Sequence, residues 1–256
     1  MSFTPPTIDR LRLAIISDIH GNLPALEAAL AEIDAAAPEE VWCLGDVVGY
    51  GAEPNECVEL VRERCTVCLA GNHDLAVLDA IDISTFSPAA AEAAQWTRAK
   101  LDDGAREFLA GLHAADESRE VALYHASPRD HVWEYVLWPE QAGECIAKQS
   151  ERVALIGHSH IALCFRAADD GDVDATEGAQ VSAGTKLDIG DGRWLLNPGS
   201  IGQPRDGDPR AAWLELDTGA WTATYRRTEY EVGRAAESIV AAGLPEHLGK
   251  RLFSGQ

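Results

Sequence analysis

Short apolar runs recur along this chain, and most end in a polar turn. Residues 11–17, 41–44, 67–69, 121–124 and 153–156 are runs of this kind, and each reads as a buried strand. After the first run, Leu26, Leu30 and Ile33 fall on one helical face. Asn22 is placed to cap that helix, and Pro24 is tolerated in its first turn. Residues 53–64 read as the next helix, through Val58, Leu60 and Val61, and residues 139–149 as a later one. Strands that alternate with helices predict βαβ units and a largely parallel sheet.

The pattern changes twice. Residues 75–112 are rich in alanine, glutamate and leucine with no strand signal, and predict two or three inserted helices. Such an insertion either overhangs a site or simply packs on the sheet. After His160 the chain turns antiparallel, with short strands expected over 161–166, 173–181, 186–189, 194–196, 211–216 and 221–227. Asp170-Gly171 and Asp191-Gly192 are turn signals between them. A helix over 232–242 and a polar tail follow. With no internal repeat or linker, the reading is one α/β domain over 1–256 with a helical insertion at 75–112.

Composition narrows the function classes. Of 256 residues, 46 % are hydrophobic, enough for a sizeable core. No apolar run approaches the roughly 20 residues that span a bilayer. Residues 1–9 lack a basic n-region and 11–17 are too short for a signal peptide, so a cytoplasmic location is expected. The net charge of −21, from 42 acidic and 21 basic residues, opposes stable binding to nucleic acid or anionic membranes. It leaves a small phosphate ester open as a substrate, because bound divalent cations invert the local field. Six cysteines lie mostly in apolar runs and read as free thiols. Cys65-x-x-Cys68 lacks the second pair of a zinc ribbon and reads as structural.

The chemistry lies at the ends of the apolar runs. In order come Asp18-Ile19-His20, Gly45-Asp46, Gly71-Asn72-His73-Asp74, His125 and Gly157-His158-Ser159-His160. Strand ends that converge on one sheet edge are where open α/β sheets place their ligand sites. Mixed carboxylate and imidazole donors suit manganese, iron, zinc or cobalt better than magnesium or calcium. Asp18, His20, Asp46, Asn72, His125, His158 and His160 are too many ligands for one ion. They fit two ions that share a bridging carboxylate. Any one fragment alone reads equally well as a cap or turn; the ordered set carries the inference.

On these motifs the chain resembles the calcineurin-like metallophosphoesterase superfamily, whose pattern is D-x-H, G-D, G-N-H-D/E, H and G-H-x-H. The likeness runs over residues 12–212. Asp18-Ile19-His20-Gly21-Asn22 and Asn197-Pro198-Gly199-Ser200 are most similar to the small prokaryotic phosphodiesterase-type members. The resemblance implies a four-layer α/β/β/α sandwich with mixed sheets. It implies one metal on Asp18, His20, Asp46 and His160, and another on Asp46, Asn72, His125 and His158, with Asp46 bridging. His73 would stand outside both shells as proton donor to the leaving oxygen. The cofactor implied is a pair of divalent transition-metal ions, manganese first, with iron, zinc, cobalt or nickel as alternatives. The reaction implied is in-line attack of a metal-bound hydroxide on phosphorus.

One departure from the pattern is informative. Protein Ser/Thr phosphatases of the superfamily carry G-D-x-V-D-R-G, whereas Gly49 and Tyr50 replace that Asp and Arg here. This argues against a dedicated phosphoprotein phosphatase and leaves the phosphate-binding cation unassigned. Arg205, after a glycine-rich turn, is a candidate, with surface solvation the favoured reading. Asp74 is a candidate to orient His73. The alternation His131, Trp133, Tyr135 reads as a half-buried strand, with a pocket wall as the lesser reading. His113 and His247 read as incidental. The expected function is hydrolysis of small phosphodiesters or nucleotides. The alternatives are a phosphomonoesterase, a dinucleotide polyphosphate hydrolase, or a non-catalytic protein-binding scaffold of the same fold.

Overall fold

The structure, a computed structural model, describes residues 10–149, 151–168 and 175–256. The first half runs β1 (Arg12–Ile16), α1 (Leu23–Ala36), β2 (Glu40–Cys43), α2 (Pro54–Arg64), β3 (Val67–Cys68), α3 (Asn72–Val77), α4 (Pro88–Lys100) and α5 (Asp103–Ala110). Next come β4 (Ala115–Asp116), β5 (Val121–Tyr124), α6 (Pro139–Ile146), β6 (Val153–Leu155), β7 (Ala162–Ala167) and β8 (Glu177–Gln180). The chain closes with β9 (Lys186–Asp188), β10 (Arg193–Pro198), β11 (Ala211–Asp217), β12 (Thr222–Thr228), α7 (Val232–Ala241) and α8 (Glu246–Lys250). Short 3₁₀ turns cover Ile83–Thr85 and Arg251–Phe253. The Asp170-Gly171 turn, the start of the strand expected over 173–181 and residues 1–9 lie outside the described residues.

Strand alternation builds the layers. In β1, Leu13 and Ile15 face one way, while Ala14 and Ile16 face the other. Leu13 and Ile15 meet Val121, Leu123, Val153 and Leu155 in a core between two sheets. Ala14 and Ile16 pack beneath Leu26, Leu30 and Ile33 of α1 and Val58 and Val61 of α2. On the far side, Ala122 and Tyr124 of β5 pack against Ala142, Cys145 and Ile146 of α6. The result is the helix, sheet, sheet, helix order expected of a four-layer sandwich.

Both sheets are mixed. One has the order β3-β2-β1-β11-β12-β9, the other β4-β5-β6-β10-β7-β8. β1, β2 and β3 pair in parallel, as do β5, β6 and β10. The remaining ladders are antiparallel, so the sheet is less parallel than the βαβ rhythm predicts. Each motif loop leaves the C-terminal end of β1, β2, β3, β5 or β6. That geometry delivers the ligand candidates of both sheets to one edge.

Three details differ from the sequence reading. The alternation at His131, Trp133 and Tyr135 is not a strand. Asp130 Oδ1 accepts from the N–H groups of Val132 (3.0 Å) and Trp133 (3.1 Å), taking donors that a ladder would need. The polar tail is ordered as α8 and a 3₁₀ turn, because Leu248 and Leu252 bury against Ala235 and Ile239 of α7. The helical stretch begins inside the third motif, with α3 starting at Asn72, rather than after it. Among the described residues no helix is long and apolar enough to cross a membrane.

Candidate metal centre

The loops after β1 and β2 are stitched together by their backbones. Asp18 N–H donates to Gly45 O (3.0 Å), His20 N–H to Asp46 O (2.9 Å) and Gly21 N–H to Val47 O (2.9 Å). Asp18, His20, Asp46, His158 and His160 all adopt left-handed backbone conformations, with φ between 52° and 63°. Non-glycine residues rarely sit there, and such strain collects at functional sites. Gly71 is required by close approach: a Cβ there would lie 2.0 Å from Asp46 Oδ1.

Two groups of ligating atoms result. Asp18, His20, Asp46 and His160 place theirs within 4.8 Å of one another, and so do Asp46, His125 and His158. Asn72 joins the second group, its Oδ1 lying 3.2 Å from His125 Nε2. All seven residues are buried. Asp46 belongs to both groups. His73 belongs to neither, and neither do His113 and His247.

The protonation pattern fits cations. His20, His125 and His160 turn Nδ1 toward the carbonyls of Val48 (3.1 Å), Leu44 (2.9 Å) and Gln203 (2.7 Å). Each therefore donates from Nδ1 and presents a bare Nε2 lone pair. The Nε2 atoms of His20 and His160 face each other at 3.0 Å, where two lone pairs repel unless a cation lies between them. His158 instead turns Nε2 toward Trp133 O (3.3 Å), leaving Nδ1 for an ion. Burial pushes His20, His158 and His160 well below the usual imidazole range, so they stay neutral. Asp18 accepts from His158 N–H with both oxygens, at 3.2 and 3.1 Å, yet burial raises it to about 7. Burial, then the neighbouring Asp74 carboxylate, pushes Asp46 well above the carboxylate range.

Asp46 is the decisive case. Its Oδ1 accepts from His73 N–H at 2.8 Å. Its Oδ2 is buried with no hydrogen-bond partner among the described residues, 3.5 Å from His20 Nε2 and 3.6 Å from His125 Nε2. A buried carboxylate oxygen without a donor is costly unless a cation compensates it. The donor set thus fits two metal ions, with Asp46 in both groups.

The surroundings correct three readings. Asp74 does not orient His73; it accepts from the N–H groups of Gly71 (2.9 Å), Val48 (3.1 Å) and Val47 (3.3 Å), bracing the loop that carries Asp46. Arg205 is not a solvated surface residue. It lines a cavity of about 340 Å³ that opens on Asp46, Asn72, His73, His158 and His160. Trp133 and Tyr135 line the same cavity, Tyr135 stacked on His158 at 4.2 Å. The inserted segment does overhang the site, through Thr85, Phe86, Ser87 and Ala90. Arg251, also on the cavity, carries no motif signal. The four-residue spacing of Leu248 and Leu252 was the trace of the turn that delivers it.

His73 sits between Tyr50 (4.4 Å) and Phe86 (4.8 Å), ring to ring. Its Nδ1 is buried without a hydrogen-bond partner among the described residues. Gly49, at φ 95°, makes room for the ring: a Cβ there would stand 2.4 Å from Nδ1. Burial, then the charge of Arg205, lowers the imidazole to about 3. All six cysteines are free thiols, and none belongs to either group of ligands.

Metal binding should therefore appear as stability. Manganese added to chelator-treated protein at a hundredfold excess over Kd should stabilise it by about 2.7 kcal/mol per site, read as a rise in Tm. Asp46→Asn removes the buried charge and keeps an acceptor for His73 N–H. It should raise the Tm of the metal-free protein and abolish most of the manganese-induced rise; an undiminished rise would contradict the assignment. Affinity should also fall with pH. The Asp18 carboxyl takes up a proton as pH drops through about 7, and only the carboxylate ligates. Competition against a chelating dye should show weaker manganese binding at pH 6 than at pH 8.

Comparison with known proteins agrees with this geometry. Residues 11–219 match the calcineurin-like phosphoesterase superfamily domain. An uncharacterized protein of Methanocaldococcus jannaschii is 38 % identical over 249 residues, covering 95 % of this chain and 98 % of that protein. The crystal structure of a metallophosphoesterase from Sphaerobacter thermophilus superposes with a TM-score of 0.87 at 36 % identity, over 97 % of this chain and 100 % of that one. A hypothetical protein from Pyrococcus horikoshii OT3 shares the fold, with a TM-score of 0.76 at 20 % identity over 96 % of this chain and 98 % of that one. The family match spans most of the chain and takes in all five motifs, so this protein belongs to the calcineurin-like phosphoesterase superfamily.

Proposed function

We propose that this protein is a dinuclear metal-dependent phosphoesterase acting on small phosphodiesters or nucleotides. The observation that carries the reading is the unpartnered Asp46 Oδ2, midway between imidazoles of the two ligand groups. Asp18, His20, Asp46 and His160 would hold one ion. Asp46, Asn72, His125 and His158 would hold the other. Manganese is the leading candidate, with iron, zinc, cobalt and nickel as alternatives of matching donor preference. When bound, the ion pair supplies Lewis-acid activation of water and neutralises charge on the phosphoryl oxygens.

The chain's own groups do the rest. His73 lines the cavity and is free of both ligand sets, so it can hold a proton for the departing oxygen. In the free protein burial and Arg205 keep the ring neutral. A phosphate bound beside Arg205 would offset that charge and let the imidazole gain its proton with the substrate. Asp46 Oδ1 fixes His73 through its backbone N–H, tying the proton donor to the metal-bridging carboxylate. Phe86 and Tyr50 exclude water from the ring faces. The full ligand set and intact His73 support an enzyme over a protein-binding scaffold.

Manganese-loaded protein should hydrolyse bis(p-nitrophenyl) phosphate. Asp46→Ala should abolish turnover. His73→Ala should lower kcat by about 10²–10⁴ on diesters with alkyl leaving groups. The loss should be much smaller with p-nitrophenolate, which departs without a proton. Equal losses on both leaving groups would remove His73 from the proton-donor role. Turnover of monoesters alone would move the reading to a phosphomonoesterase.

A further inference from the structure

The four imidazoles of the ligand set are not held alike. His20, His125 and His160 spend Nδ1 on the carbonyls of Val48, Leu44 and Gln203, all three of them buried residues. His158 is reversed. Its Nε2 faces Trp133 O at 3.3 Å, and Trp133 keeps 37 % of its surface exposed. The same ring stacks on Tyr135, with centroids 4.2 Å apart and planes inclined by 18°. His125 meets it edge to face at 5.1 Å. The backbone N–H of His158 is spent on the two Asp18 oxygens, at 3.2 and 3.1 Å. The main chain is therefore tied to the strand ends, while the ring takes its direction from an outer loop.

That loop is braced from within. It starts two residues after His125, the other imidazole of the same ligand group. Ser127 Oγ accepts from the N–H groups of Arg129 (3.1 Å) and Asp130 (3.0 Å), and Asp130 Oδ1 accepts from those of Val132 and Trp133. Glu134 accepts from Ser127 Oγ, from Arg129 Nε at 3.1 Å and from Cys145 Sγ of α6 at 3.6 Å. Val136 is buried in the core with Tyr124 and Ala142. Tyr135 thus stands between two residues pinned to the body of the protein, and its ring is presented to His158 and the cavity. An imidazole has two free torsions and two tautomers. A ring N–H spent on a carbonyl fixes the tautomer that bares Nδ1, and a stacked ring limits the torsions.

We infer that Tyr135 and the Trp133 carbonyl are positioning groups for His158. Through them the loop of residues 127–136 sets the affinity of the ion held by Asp46, Asn72, His125 and His158, and not that of the ion held by Asp18, His20, Asp46 and His160. The inference rests on the two-ion reading, and adds to it a segment outside all five motifs that governs one ion alone. The stack uses the face of the Tyr135 ring, so the ring and not its hydroxyl is what His158 requires.

The test is calorimetric titration of chelator-treated protein with manganese, followed by the electron paramagnetic resonance spectrum of the same samples. The wild type should take up two ions per chain. Tyr135→Ala should weaken one of them about 10–100-fold, the range for loss of a group that orients a metal ligand, and leave the other unchanged. The unchanged ion is the control for folding. Tyr135→Phe should bind both ions as the wild type does. At two equivalents of manganese, Tyr135→Ala should give the six-line signal of isolated ions where the wild type and Tyr135→Phe give a coupled spectrum. His158→Ala should weaken the same ion, and adding Tyr135→Ala to it should cost nothing further, because the ring to be oriented is gone. Undiminished binding of both ions by Tyr135→Ala, equal weakening of both, a Tyr135→Phe as weak as Tyr135→Ala, or an additive loss in the double variant would each overturn the positioning role and leave the two-ion reading standing. Uptake of a single ion by the wild type would overturn both.

Discussion

The structure turns on a buried carboxyl group, Asp46, whose negative form the surrounding protein does little to stabilise. Asp46 has one oxygen paired with the His73 backbone and the other with no donor. Around it, imidazole nitrogens point lone pairs inward because their N–H groups are spent on backbone carbonyls. Such an arrangement is expensive in a dry protein interior. It makes sense as a charge-balanced centre only with cations, and the five left-handed backbone positions are the strain that holds the donors there.

The fold supplies the means. Two mixed sheets stack so that the carboxyl ends of their parallel strands meet at one edge. Alternation along β1 and β5 settles the layers on both sides at once. The loops after β1 and β2 then extend the strand pairing beyond the sheet, bringing Asp18, His20 and Asp46 into register. Asp74 braces that loop, so its acid is spent on shape rather than chemistry.

The ligand groups were legible in the sequence because each candidate ends a short apolar run, and runs in βαβ order bring their ends together. That rule brings Asp18, His20, Asp46, His125, His158 and His160 to one edge; their division into two sets came from the family resemblance. The pocket rim was legible only in part: Arg205, Trp133, Tyr135 and the inserted segment stood among the alternatives, and Arg251 did not. Arg205 and Arg251 are 46 positions apart, and their sharing one cavity depends on a tail folding back through Gly255 onto Gly207, which no periodicity announces. Residues 131–135 misled because alternating aromatics look like a strand, while Asp130 had already claimed the backbone donors. Gly49 was visible as a departure, yet only the geometry shows that the His73 ring fills the space its side chain would take. Strand-end chemistry is written locally; recognition is assembled from segments that packing alone brings together.

The most direct test of the central claim is the electron paramagnetic resonance spectrum of the manganese-loaded protein. A carboxylate shared by two ions couples their spins. The account predicts two manganese ions per chain and an exchange-coupled multiline signal, replaced in Asp46→Asn by the six-line signal of isolated ions. An uncoupled six-line spectrum from the fully loaded wild type would contradict a shared Asp46 and the dinuclear centre built on it.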